Sequence, residues 1–129
     1  MSLQNARSVL DSLSAETGRS GDRTPGDQLQ NLRDRIDLLD EAILALLNER
    51  SLCANKIGEV KKRRSLAVYD PARESEVLAK VVASNEGPLP DGAARRLFER
   101  IIDETRSLER HLYQSDIVIA DPELAPDDD

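Results

Sequence analysis

The sequence predicts an all-α fold, a three-helix chain whose long N-terminal helix pairs with a second copy of itself. Three observations predict it. One segment keeps an unbroken heptad seam, two shorter segments carry helical apolar stripes between recognisable stop signals, and no segment alternates as a strand should.

The seam runs Leu29, Leu32, Ile36, Leu39, Ile43, Leu46, Arg50, Cys53, Ile57, Val60, alternating steps of three and four. No proline interrupts it. The spacing predicts one helix from about Asp27 to Arg64, with Asp27 as N-cap and Lys61-Lys62-Arg63-Arg64 opposite the negative end of the helix dipole. Such a helix is roughly 55 Å long. Asp70-Pro71 announces the second helix, a cap followed by proline at the first helical position. Its stripe is Val77, Leu78, Val81 and Val82, and Asn85-Glu86-Gly87-Pro88 ends it. The third begins near Asp91-Gly92 and carries Ala94, Leu97, Phe98, Ile101, Ile102, Thr105, Leu108 and Leu112. At roughly 20 and 33 Å, these two helices together just cover one side of the first. A seam sustained over more than four heptads asks for a second long helix, and a dimer is expected.

Residues 28–113 therefore form the helical domain. Residues 1–27, rich in Ser, Gly, Asp and Arg, read as a flexible tail with a short amphipathic turn around Val9–Leu13. Residues 114–129 read as an acidic tail.

Composition excludes several functions. Among 129 residues, 25 acids against 18 bases give a net charge of −7, the wrong sign for a nucleic-acid binder or a polybasic membrane anchor. With no Trp, one Phe and two Tyr, the core must be aliphatic. The single cysteine and single histidine leave no internal disulfide and no His or Cys metal cluster. No apolar run approaches about 18 residues, so a cytoplasmic protein is expected.

The informative positions are charges on or beside the apolar stripes. Arg50 occupies the seam itself, and Lys61, eleven residues on, shares its face. Arg33 borders the seam near the other end. Glu74 precedes Val77 and Leu78 by one turn, with Arg73 beside it; Thr105 and Glu109, four apart, follow Ile101 and Ile102 onto the inner face of the third helix. Each has a bland account. Arg50 snorkels or pairs with a carboxylate, Lys61 begins a solvated helix end, Asp70 is a cap, Glu74 is a first-turn acid and Thr105 bonds a carbonyl one turn back. Cys53 reads as a small buried hydrophobe, and His111 as an exposed residue near a helix end. Together, several cations and a few acceptors directed into a helical interior describe a pocket for a small dianion. No nucleophile–base pair and no Gly-rich phosphate loop accompanies them. An enzyme of this kind works by binding, orientation and electrostatics.

These residues resemble a known family. Leu32-Arg33-Asp34-Arg35-Ile36-Asp37-Leu38-Leu39-Asp40 and Leu46-Leu47-Asn48-Glu49-Arg50 look like the first helix of the all-helical, type II class of chorismate mutase. Ile57, Lys61 and Val68-Tyr69-Asp70-Pro71-Ala72-Arg73-Glu74 match its second signature, and Leu97-Phe98-Glu99-Arg100-Ile101-Ile102 its third helix. The resemblance covers about residues 29–112. It implies an intertwined homodimer with two equivalent sites, no cofactor, and the rearrangement of chorismate to prephenate on the route to phenylalanine and tyrosine. By position it implies that Arg50 binds one substrate carboxylate and Arg33, supplied by the other subunit, binds the second. Lys61 then contacts the ether oxygen and a carboxylate, Asp70 and Glu74 hold the ring hydroxyl, and Arg73 supports the site. Thr105 stands where the family often has serine, and Glu109 where it commonly has glutamine. Lys61, Glu109 and Arg50 are the expected catalytic set.

Spacing agrees on one point. Arg33 and Arg50 are about 25 Å apart along one helix, too far to grip one small molecule. They converge only if an antiparallel partner helix delivers its own Arg33. Rival readings are an isochorismate–pyruvate lyase of the same fold, a weakly active regulatory module that docks on another enzyme of the shikimate pathway, and a dimerisation domain without a ligand. Glu74 favours the mutase over the lyase, because it offers the ring hydroxyl an acceptor. The inward Arg50, Lys61, Glu74 and Glu109 are unexplained in a bare dimerisation domain.

Overall fold

A computed structural model describes residues 24–114 continuously, together with Ser8, Leu10 and Asp11, which are helical. The expectations for the rest of the N-terminal segment and for residues 115–129 lie outside the described residues. Three helices follow in order, α1 (Pro25–Arg63), α2 (Pro71–Ser84) and α3 (Asp91–Gln114), and no strand occurs among the described residues.

The 39-residue α1 starts two residues before the expected point. Thr24 caps it, its Oγ1 accepting from the Asp27 N–H at 3.0 Å, and Pro25 takes the first helical position, where its missing N–H costs nothing. Asp27 is thus a first-turn acid rather than the cap. At the other end, the N–H of Leu66 reaches the Lys61 carbonyl at 2.8 Å and that of Ser65 the Lys62 carbonyl at 3.2 Å. With Ser65 at φ 55°, this is a Schellman stop, built on serine where glycine is usual.

Asp70 caps the 14-residue α2 as its sequence foretells, Oδ1 accepting from the Arg73 N–H at 3.1 Å with Pro71 beginning the helix. The turn into α3 is held by Asn85. Its Nδ2 donates to the Leu89 carbonyl at 2.7 Å and to Asp91 Oδ1 at 2.8 Å, while its Oδ1 accepts from the Gly87 N–H at 3.1 Å. Gly87 needs its freedom there, at φ 75°.

Two compact units divide the chain, Met1–Asn48 and Glu49–Asp129. In the first, the seam residues Leu29, Leu32, Ile36, Ile43 and Leu46 are all exposed, Leu46 at 63%. Among the described residues, the second holds four buried apolar side chains, Ala54, Leu78, Ala94 and Ile102. Two of the four are alanines, a sparse core for three helices. Leu97 on the α3 stripe is exposed. Cys53 is exposed too, correcting the buried reading, because the seam position it occupies looks onto a cavity rather than onto packed side chains.

Candidate active site

The cavity lies within the second unit and has a volume of about 270 Å³. The C-terminal part of α1 supplies Arg50, Cys53, Ala54, Ile57 and Lys61, spaced to share one face. Val68 and Asp70 come from the connection into α2, and Arg73, Glu74 and Val77 from α2 itself. From α3 come Ile102, Thr105, Arg106 and Glu109, again at helical spacing. Seven of the eight candidate residues from the sequence therefore meet around one cavity. Arg33 is not among them; it is exposed in the first unit.

Polar contacts bind the walls together. Arg50 Nη1 donates to Thr105 Oγ1, and that hydroxyl donates to the Ile101 carbonyl at 2.9 Å, the expected bond one turn back. Lys61 is held by the Val68 carbonyl at 2.9 Å, with its Nζ 3.6 Å from Glu109 Oε2. It is therefore part of the cavity rather than of the solvated helix end. Glu109 is 8% exposed, and its carboxyl pKa is raised. Burial is the main cause and Glu74 adds to it, while Lys61 and Arg50 pull the other way. Gly58 permits this burial: a side-chain carbon there would lie 3.8 Å from Glu109 Cα, Cβ and Cγ, so anything beyond alanine would displace it.

Arg73 donates through Nη1 to Glu76 Oε1 at 2.8 Å, an exposed pair on α2. The Glu74 carboxylate is instead gripped by Arg106, which sequence reasoning missed. Arg106 Nε donates to Glu74 Oε2 at 3.1 Å and Nη2 to Oε1, and its guanidinium stacks over Tyr69, 5.0 Å from the ring centroid. A signal existed. Arg106 lies four after Ile102 and three before Glu109, on the inner stripe of α3.

Several cations, a hydroxyl, acceptors and a buried acid thus surround a space fit for a small anion with a hydroxyl group. Among the described residues no group of His, Cys, Asp or Glu is placed to hold a metal ion, and no helix is long and apolar enough to cross a membrane.

Comparison with known proteins supplies the family. Residues 32–110 match the family described as chorismate mutase type II. The chain belongs to that family. A chorismate mutase from Thermus thermophilus superposes with a TM-score of 0.64 at 40% identity, covering 64% of this chain and 94% of that one. The bifunctional chorismate mutase/prephenate dehydratase of Aquifex aeolicus is 38% identical over 90 residues, 67% of this chain. That of Neisseria gonorrhoeae is 46% identical over 80 residues, 62% of this chain. This chain spans only 25% and 22% of the length of those two bifunctional relatives.

Proposed function

We propose that this chain is a chorismate mutase, an isomerase that converts chorismate to prephenate on the way to phenylalanine and tyrosine. The observation that carries the reading is the convergence of Arg50, Lys61, Asp70, Glu74, Thr105 and Glu109 on one cavity. The active unit is a homodimer of the helical domain, which the sequence bounds at residues 28–113 and whose helices run from Pro25 to Gln114; it is located in the cytoplasm, with the segments on either side as tails. Two observations support the dimer: the exposed leucines and isoleucines of the seam, and the seventeen residues of continuous helix between Arg33 and Arg50.

In this reading Arg50 takes one substrate carboxylate on its planar fork, and the partner subunit's Arg33 takes the other. Asp70 and Glu74 receive the ring hydroxyl, with Arg73 beside them, and Thr105 fixes the Arg50 head group. Holding the dianion in its compact diaxial conformer removes an entropic cost from the barrier. The ether C–O bond then breaks as the new C–C bond forms, and no atom leaves. Negative charge grows on the ether oxygen, where the Lys61 ammonium and a protonated Glu109 donate.

Assay of the purified chain with chorismate and, separately, with isochorismate tests the reading. Prephenate from chorismate, with no pyruvate from isochorismate, is the expected result. Pyruvate release without prephenate would make the chain a lyase.

A further inference from the structure

Glu74 presents a problem that its neighbours make acute. A flexible carboxylate lining the same cavity as Arg50 and Lys61 would compete for the cations that the substrate's carboxylates need. It does not do so here, because Arg106 occupies both of its oxygens, Nε on Oε2 at 3.1 Å and Nη2 on Oε1. Arg106 is itself fixed from two further directions, by Asp103 Oδ1 at 3.3 Å and by the Tyr69 ring at 5.0 Å. The fork ties α2 to α3 and to the connection preceding α2. We infer that Arg106 is a positioning residue for the rearrangement, holding the Glu74 carboxylate where it receives the substrate's ring hydroxyl and away from the carboxylate-binding cations.

The chemistry of the pair supports this. A bidentate guanidinium uses one lone pair on each carboxylate oxygen and leaves another on each for a further donor. Glu74 therefore remains an acceptor while its plane is set. The fork geometry matters as much as the charge, since a lysine would supply a single mobile ammonium and leave the carboxylate free to turn. The inference rests on the mutase reading of the cavity, which assigns the ring hydroxyl to Glu74.

The test measures kcat and KM for chorismate, with thermal midpoints, in wild type, Arg106→Lys and Arg106→Leu, each also combined with Glu74→Gln. Arg106→Leu should lower kcat/KM by roughly tenfold or more, while in the Glu74→Gln background the same change should cost less than about threefold. Arg106→Lys should recover little of the loss. Equal losses in both backgrounds would mean that Arg106 touches the substrate itself, and would overturn the proposal. So would full activity in Arg106→Lys, which would leave charge alone as the requirement. If Arg106→Leu does not fold, Arg106→Lys decides, its loss or retention of activity being read in the same two backgrounds. A wild type that does not turn over chorismate would overturn the mutase reading and this inference with it, whereas an active wild type with indifferent Arg106 variants would overturn this inference alone.

Discussion

Glu109 is a buried carboxyl whose neighbours pull its proton affinity in opposite directions. Burial raises its pKa against the pull of Lys61 and Arg50, with Glu74 adding to the rise, and a bound dianion would raise it further. In the proposed mutase reading a protonated carboxyl donates to the ether oxygen; an ionised one cannot, and it opposes the negative charge developing there. The rate should therefore be highest at acidic pH and fall about tenfold per pH unit above the value Glu109 adopts in the complex. Glu109→Gln, a donor at every pH, should flatten that limb and raise activity at neutral pH, as read from kcat/KM between pH 5 and 8. The stability sign is the same: a raised carboxyl pKa gives stability that is complete at low pH and lost as pH climbs through the folded value. Lys61→Met keeps the aliphatic stem and removes the donor, so turnover should drop roughly 100- to 1000-fold with the fold intact by circular dichroism. A folded variant with near-normal turnover would return Lys61 to the role of a helix-end cation. At this scale the sequence was informative wherever a charge interrupted an apolar stripe, as at Arg50 and Glu109. Arg106 lay on such a stripe as well, yet its pairing with Glu74, 32 residues away, depends on how two helices meet, which spacing within one helix does not encode.

Helix ends were legible when the cap and the proline stood together. Asp70-Pro71 is legible because both signals fall on adjacent residues. At α1 the same logic applies to Thr24-Pro25, but Asp27 competes for the cap, and only the geometry shows Thr24 Oγ1 taking the Asp27 N–H. The end of α1 yields a prediction. Ser65 sits at φ 55° in the Schellman turn, a conformation that costs an L-residue about 1–2 kcal/mol. Ser65→Gly should therefore stabilise the protein by about 0.5–1 kcal/mol after the added unfolded-state entropy is counted. Urea denaturation at fixed protein concentration measures it, and kcat should not change, since Ser65 is not among the residues lining the cavity.

The whole molecule poses the largest question through its exposed seam. Leu29, Leu32, Ile36, Ile43 and Leu46 are exposed at 49 to 63%, and a face of that apolar content, with few buried apolar side chains among the described residues, calls for a covering surface. The heptad repeat announced this in the sequence. In the proposed homodimer the partner's Arg33 completes the site, as the separation of Arg33 from Arg50 along one helix requires. The account's central claim is that the working site is shared between two chains, and mixing two inactive variants tests it most directly. Arg33→Ala and Arg50→Ala homodimers should each be nearly inactive on chorismate. After equal mixing and subunit exchange, half of the dimers are mixed and each holds one intact site, so activity should return to about a quarter of the wild-type rate per chain. Demonstrated exchange, by mass spectrometry of differently sized variants, with no return of prephenate formation would contradict the shared site.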